Sequence, residues 1–305
     1  MNVTYLRKEG QGCMAEKDMA TKKLEDYADV FCDILNILLF HKKYLKPECI
    51  RNGPTESIYK ADAKEWNEQR RDTLKELLNG QRFHIASIGL ENQSKIEKAM
   101  PIRIMNYDSA SYHEQLNQKV PLKELRPVIT VVLNFSDHRW CKERSLHEIL
   151  NIPEELKPFV ADYKIIVFDV AFLDDATIEA FTSDFKSVAK FFKQRRIKDD
   201  EFVWDPDEII HVQEVLDLLS LFSNDDRYRK IGPKLVMKQK KGRRITMCDV
   251  AQKLEDKGIT KGKAQGRIRM LADFLSNGGS EADAKRMLKV TDEEIAQAKG
   301  ILCEK

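Results

Sequence analysis

The sequence predicts an α/β protein in which a mixed β-sheet is flanked by helices and followed by a helical C-terminal extension. Two strand-like runs, residues 73–78 and 83–90, precede a helical segment at 102–116. A nearly continuous β-branched run follows at 127–135, which is typical of a strand covered on both faces. Because a helix joins the last two strands, they should be parallel and form a crossover unit. From residue 176 onward the apolar spacing is helical.

The composition limits the class of protein. Of the 305 residues, 42% are hydrophobic and 8% aromatic, which excludes wholesale disorder and allows a sizeable core. The net charge of +2 is too small for a global field, so contact with nucleic acid would depend on local basic patches. The six cysteines form no CxxC pair, which favours reduced thiols in a cytoplasmic protein. The sequence contains neither a long apolar run nor the apolar core of a signal peptide, so we expect no membrane partner.

The first predicted helix covers residues 22–41, where apolar side chains recur on one broad side. Asp26, Asp29 and Asp33 lie on neighbouring turns of this helix. They are either a solvated acidic edge of a core helix, or Asp29 or Asp33 leans toward a site in the sheet. Asp29 is therefore a candidate additional acid for the site that the strands predict.

The two paired strands carry the most informative polar residues. Asp72 lies just inside the first strand-like run, while Glu91 and Gln93 end the second and point to the same face of an extended chain. Two carboxylates and an amide can hold Mg²⁺ or another divalent cation by their oxygens and leave positions for water and phosphate. The alternative is a polar strand end with unrelated acids, which on spacing alone is the more common case.

The register of this hairpin decides whether the two acids can share an ion. If Asn79-Gly80 formed a two-residue turn, Asp72 would face Ser87, and Glu91 would lie roughly 13 Å further along the strand. That separation is too large for one ion. A shared site therefore requires a loop centred nearer Gln81-Arg82, or a bulge in one strand.

Longer segments of the chain resemble one family of nucleases. The segment IGLENQSKIEKAMPIRIMNYDSASYHEQL, followed by PVITVVLNF, is similar to the bacterial family of recombination-promoting nucleases and putative transposases in the PD-(D/E)XK nuclease superfamily. The segments DYADVFCDILN, DYKIIVFDVAF and SDFKSVAKFF fit the same family in the same order. The resemblance covers roughly residues 22–195.

This resemblance implies a restriction-endonuclease-like fold and a metal-dependent DNA endonuclease that hydrolyses phosphodiester bonds, with Mg²⁺ or another divalent cation as cofactor. Asp72 and Glu91 then correspond to the metal-binding acids, and Gln93 to the catalytic position at which most superfamily members carry lysine. Glutamine can orient water or phosphate but cannot act as a general base. Hydrolysis follows from such a site, whereas strand transfer does not. The alternative is a fold retained without catalysis as a DNA-binding or protein-interaction module.

Basic residues near the acids are candidate DNA contacts. Arg70 and Arg71 flank the first acid, and Arg103 lies near the start of the helix after the hairpin, although each could equally be solvated or structural. Two basic runs, KQRRIK at 193–198 and the stretch at 234–244, could contact the phosphate backbone. Cleavage of both strands of a duplex would favour a homodimer.

Changes of pattern along the chain suggest four segments. They are a disordered leader at 1–20, a nuclease-like domain with helical additions at 21–230, a basic linker at 231–247 and a helical tail at 248–305. The last helix of the second segment is predicted over residues 205–222. In the tail, Asn277-Gly278-Gly279 should end one helix, and Thr291 with Glu294 should begin another as a capping box.

Overall fold

The computed structural model describes residues 16–17, 19–53, 56–62, 65–70, 72–79, 84–197 and 206–303. The chain divides into two compact units, residues 1–247 and residues 248–305. The first unit contains a five-stranded mixed sheet flanked by helices, and the second is helical within the described residues. The predicted fold class is therefore confirmed.

The sheet of the first unit has both antiparallel and parallel pairs. The strands are β1 (Ile50–Asn52), β2 (Glu56–Asp62), β3 (Glu65–Arg70), β4 (Thr73–Leu78), β5 (His84–Gln93), β6 (Val128–Asn134) and β7 (Ile166–Asp169). The order is β1-β4-β5-β6-β7, in which β4 is antiparallel to β1 and β5, and β6 is parallel to β5 and β7. The strands β2 and β3 form a separate antiparallel hairpin.

The described helices surround this sheet or follow it. They are α1 (residues 19–25), α2 (Ala28–Leu38), α3 (Met100–Asn117), α4 (Leu146–Ile149), α5 (Asp175–Ala180), α6 (Phe185–Ile197), α7 (Val212–Ser223), α8 (Arg227–Lys240), α9 (Met247–Ser276), α10 (Glu281–Leu288) and α11 (Asp292–Cys303). Helix α3 connects the parallel strands β5 and β6, which confirms the predicted crossover. None of the helices described here has both the length and the apolarity that crossing a bilayer requires.

The two faces of the sheet are covered by different helices. Helix α3 covers one face, where the buried cluster consists of Met100, Ile104, Tyr107, Val132, Trp140, Ile165 and Val167. Phe135 follows β6 three residues after Val132, so strand alternation turns it toward the opposite face. Its ring lies 5.0 Å from that of Phe192 on α6 and 5.8 Å from that of Phe222 on α7. The end of β6 is thus enclosed by aromatic side chains on the α6 and α7 side.

The first predicted helix is divided into two. α1 and α2 are separated by a break at Asp26 and Tyr27. The ammonium group of Lys75, whose side chain is only 2% exposed, donates a hydrogen bond of 2.7 Å to the carbonyl oxygen of Asp26. A continuous helix would use that carbonyl internally, so its bond to the buried lysine favours the break. Of the predicted leader, residues 1–15 and 18 lie outside the described residues, while residues 19 and 20 are helical.

The helix predicted over residues 205–222 begins later than expected. Residue 205 lies outside the described residues, and α7 starts at Val212. The carboxylate of Asp184 accepts backbone hydrogen bonds from Ile210 and His211, at 2.9 Å and 2.5 Å. These bonds hold the preceding stretch in a non-helical conformation. This was not visible in the sequence because Asp184 is far away along the chain.

The expected basic linker is partly helical. Its residues 231–240 form most of α8, a helix of the first unit in which Ile231 and Leu235 are buried. The charged residues between them had suggested an exposed arm, but the apolar spacing of these two positions is that of a helix with one packed side. The interpretation as a linker therefore fails for this part of the segment.

The second unit has a small core of its own. Its buried cluster consists of Leu271, Ala272, Ala284, Val290, Ile295 and Ala298. Helix α9 ends at Ser276, and Gly278 adopts a φ of +89°, as the Asn-Gly-Gly sequence predicted. Thr291 and Glu294 exchange the two hydrogen bonds of the predicted capping box.

Candidate active site

The register of the β4–β5 hairpin brings Asp72 next to Glu91. Thr73 pairs with Leu90, which is the register that a hairpin centred near Gln81-Arg82 requires, and the ladder shifts between Leu77 and Leu78. The backbone N–H of Asn92 donates a 2.7 Å hydrogen bond to Asp72 Oδ2, and the N–H of Asp72 lies 3.4 Å from Glu91 Oε1. Asp72 therefore accepts from the backbone next to Glu91, and Glu91 accepts from the backbone of Asp72 itself. The tight Asn-Gly register, which would have separated them, is excluded.

The two acids differ in their surroundings. Glu91 is completely buried, whereas Asp72 is partly buried at the start of β4. Burial raises the pKa of Asp72, although the hydrogen bond from Asn92 and the nearby positive charge of Arg103 act in the opposite direction. Two carboxylates so close together require a positive charge or a proton to offset their repulsion.

Arg103 supplies that charge from the first turn of α3. Its guanidinium lies 3.3 Å from Glu91 Oε2 and 2.9 Å from Glu97 Oε2, and it donates a 2.8 Å hydrogen bond to the hydroxyl of Tyr107. Burial alone would lower the pKa of Arg103, but Glu91, Tyr107 and Glu97 raise it above its ordinary value. The predicted DNA contact is thus a charged partner of the buried acid, with 35% of its side chain exposed.

Gln93 lies where β5 meets β6. It is opposite Asn134 in the parallel ladder, and its carbonyl oxygen accepts a 2.8 Å hydrogen bond from the N–H of Phe135. Its side chain is half-buried and is two residues beyond Glu91 on the same strand. The three predicted residues are therefore grouped at the carboxyl end of β5.

A fourth residue, Glu25 of α1, was missed by the sequence analysis. It is 1% exposed, and its Oε2 accepts hydrogen bonds from Asn92 Nδ2 at 2.8 Å and from the hydroxyl of Thr73 at 3.4 Å. Burial raises the pKa of Glu25 to about 8, and the negative charge of Asp72 adds to this effect. The sequence did carry a signal for it: Glu25 lies four residues after Thr21 and next to Leu24, on the side of the helix that is buried.

The other predicted acids do not reach this group. Asp29 lies on α2 beyond the break, and its carboxylate is 3.2 Å from Nε2 of His211. Asp33 accepts hydrogen bonds from the backbone N–H groups of Thr182 and Ser183, at 2.8 Å and 2.7 Å. Both contacts connect α2 to the helices that follow the sheet. Neither carboxylate therefore belongs to the group at the end of β5.

The remaining predicted DNA contacts cannot be placed by their side chains. Arg70 ends β3 and pairs with Glu56, but its side chain is not among those described. Arg71 lies outside the described residues.

The side-chain oxygen atoms near the end of β5 are of the kind that bind a hard cation. Oε1 of Glu25 and Oδ1 of Asn92 are buried and have no hydrogen-bond partner among the described residues. Carboxylate and amide oxygens of this kind are the ligands that Mg²⁺ prefers. Within the described residues no three His, Cys, Asp or Glu side chains are already grouped as a metal centre. Mg²⁺ is commonly held by one or two carboxylates together with water and phosphate, so Asp72 and Glu91 fit this ion, while Glu25 and Asn92 meet on the other face of β5.

The comparisons with known proteins give one match. Residues 79–218 match the family described as "Putative transposase, YhgA-like". The matched range contains Glu91, Gln93 and Arg103 and begins after Asp72. No curated protein and no solved structure matches the chain.

Proposed function

We propose that this chain, whose residues 79–218 match the family described as "Putative transposase, YhgA-like", is a metal-dependent DNA endonuclease that hydrolyses phosphodiester bonds. The observation that carries the proposal is the meeting of Asp72 and Glu91 at the end of β5, through hydrogen bonds to neighbouring backbone groups. Acids on adjacent strands are positioned more rigidly than acids on loops. The family description also favours a role in recombination or in mobile elements, and cleavage of both DNA strands would need two copies of the chain.

Each residue of the group has a role in this proposal. Asp72 and Glu91 would hold Mg²⁺ or a similar cation. When bound, such a cation lowers the pKa of a water ligand and stabilises charge on the leaving oxygen. Gln93 would orient water or a phosphate oxygen through its amide, since it has no basic group. Arg103 would exchange its contact with Glu91 for contact with the substrate.

Plasmid nicking tests the proposal. Supercoiled DNA is incubated with Mg²⁺ and with wild type, Asp72→Asn, Glu91→Gln or Glu154→Gln, the last being an exposed acid far from the group in sequence. We expect loss of nicking by about a hundredfold or more in the first two variants and none in the third. Equal nicking by all four proteins would show that Asp72 and Glu91 are not the catalytic site.

One observation favours a second function, a DNA-binding module without catalysis. The ion pair of Arg103 with Glu91 already neutralises the buried acid, which a protein without a metal could retain for stability alone. Binding of labelled DNA in chelator distinguishes the two functions. A module binds equally in chelator and in Mg²⁺ and does not cut, whereas the nuclease cuts only with the cation.

A further inference from the structure

A cavity of about 440 Å³ opens at the carboxyl ends of β5 and β6, in the first unit. Ser94 follows β5, and Phe135 with Ser136 follows β6; the opposite wall comes from α6 and α7. Its floor consists of the aromatic rings of Phe135, Phe192 and Phe222. Crevices at the carboxyl ends of parallel strands are where ligands commonly bind in sheets of this kind.

The charges around this cavity are unequal. Lys17, Arg195 and Arg196 line it, against the single acid Asp137. That acid is 77% exposed and lies 3.4 Å from the imidazole of His138. The cavity therefore presents an excess of positive charge.

The arginines are held in place by neutral groups. Arg195 donates a 2.5 Å hydrogen bond to the carbonyl of Phe222, and Arg196 donates one of 2.8 Å to the carbonyl of Ala171. The Arg196 guanidinium also lies 4.4 Å from the ring centroid of Phe172. Among the described residues, neither guanidinium is within ion-pair distance of a carboxylate. Within the described part of the chain, their charge is therefore oriented by neutral groups alone, which suits an external anion.

The same basic run contains a contrasting residue. Lys193, one helical turn before Arg196 on α6, lies 2.7 Å from Asp175 and does not line the cavity. Basic residues in the last turn of a helix are often explained by the helix dipole alone. That explanation applies to Arg195 and Arg196, which lie in the last turn of α6, but it does not account for their orientation into a cavity.

The cavity opens at the same end of β5 as the candidate active site, but on the α6 and α7 side of the sheet, whereas Glu91 contacts Arg103 on the α3 side. Ser94 directly follows Gln93, whose carbonyl is bonded to the N–H of Phe135 at the cavity floor. Ser94 is three residues beyond Glu91, or roughly 10 Å along an extended chain. A nucleic-acid strand advances about 3.4 Å per nucleotide along its axis, so a strand that passes around the end of β5 would span both places with several nucleotides.

We propose that this cavity binds a backbone phosphate of the DNA strand whose cleaved phosphate lies at Asp72 and Glu91. The inference rests on the proposed function for the identity of the strand. Guanidinium groups pair with phosphate oxygens through two parallel hydrogen bonds, and Lys17 adds a third positive charge. The hydroxyl of Ser94 is a further donor at the same end of β5.

The test is the salt dependence of DNA binding by the full chain. Anisotropy of a fluorescein-labelled DNA duplex in EDTA is measured between about 50 and 200 mM salt. The variants are Arg195→Gln/Arg196→Gln and, as a matched control on the same helix, Lys193→Gln. Because the cavity binds one phosphate, we expect the double variant to lower the slope of log K against log salt by about one and the control to leave it unchanged. Over that salt range the wild type then loses about threefold more affinity than the double variant. An unchanged slope in the double variant overturns the inference.

A second substitution guards against misfolding of the double variant. Ser94→Glu places a negative charge at the cavity on a half-buried side chain, and Ser94→Gln is its neutral control. The glutamate should weaken binding and the glutamine should not; equal binding by both overturns the inference. Inorganic phosphate and dAMP are added as competitors. If either one occupies the cavity in an Arg195-dependent and Arg196-dependent manner while DNA binding is unaffected, the ligand is a free anion and the inference fails.

Cleavage by the same variants separates this inference from the proposed function. If wild type cuts no DNA with any divalent cation while the salt slope still depends on Arg195 and Arg196, the nuclease proposal fails and the phosphate site stands. If wild type cuts DNA and the slope is the same in all variants, the nuclease proposal stands and the phosphate site fails.

Discussion

Glu25 offers the sharpest test of which acids near the end of β5 are protonated in the folded protein. The residue is fully buried, and its pKa is raised to about 8 by burial first and by the charge of Asp72 in addition. The perturbation is Glu25→Gln, which keeps the size of the side chain and its acceptor oxygen but removes the titrating proton. Glu154→Gln is the control, since Glu154 is 83% exposed.

The direction of the effect follows from the two pKa values. The folded value of about 8 lies above the ordinary value of 4.5, so in this window the folded protein keeps a proton that the unfolded chain releases. The contribution of Glu25 to stability is fully present below about pH 4.5 and is lost as the pH rises through about 8. Each pH unit within the window lowers the free energy of unfolding by about 1.4 kcal/mol. Between about pH 5 and pH 8 the loss is about 3 kcal/mol.

Urea unfolding in EDTA at four pH values between these limits measures the effect. The stability of wild type and of Glu154→Gln should fall together by about 3 kcal/mol relative to Glu25→Gln, so that the curves of free energy against pH converge or cross near the upper limit. Parallel curves for wild type and Glu25→Gln would show that Glu25 is ionised in the folded protein. The account of the site as one ionised pair beside a protonated acid would then be wrong.

Three further substitutions test other contacts. Arg103→Met leaves the buried carboxylate of Glu91 without its ion pair and should lower the free energy of unfolding by about 3 kcal/mol in urea, with Arg103→Lys losing less. Asp33→Ala removes the acceptor of two backbone N–H groups before α6. It should lower the free energy of unfolding by about 2 kcal/mol, and hence the thermal unfolding midpoint by several degrees. Asp29→Ala, at an exposed ion pair, should have little effect. Thr291→Ala removes the cap of α11 and should cost about 1 kcal/mol, which hydrogen exchange of that helix measures; unchanged exchange would contradict the capping role.

The sequence was sufficient for the parts of the fold that depend on local pattern. The β-branched run at 127–135 predicted a central strand, and the helix before it predicted the parallel crossover; both are present. The requirement that Asp72 and Glu91 share one place also selected the hairpin register that the structure has. Each of these predictions depended on one hydrophobic periodicity or on one distance between two residues.

The features that the sequence did not predict depend on contacts between distant segments. The break between α1 and α2 follows from a hydrogen bond of Lys75, and the late start of α7 from the carboxylate of Asp184. Asp29 was the predicted additional acid, but it lies on α2 beyond the first of these breaks, whereas Glu25 lies on α1. The two residues are one helical turn apart in sequence, but only Glu25 lies on the helix that packs beside Asn92.

The surroundings of the acids explain how one strand end can hold three carboxyl groups. Glu91 is neutralised by Arg103 from α3, while Glu25 keeps its proton because burial and Asp72 raise its pKa. An ion pair with α3 and a retained proton on α1 therefore limit the electrostatic repulsion around Asp72. If Asp72 and Glu91 hold a divalent cation, Glu91 must release Arg103, which would then be available to a phosphate. Loss of the Glu25 proton adds a negative charge near Asp72, so cation affinity should increase as the pH rises toward about 8.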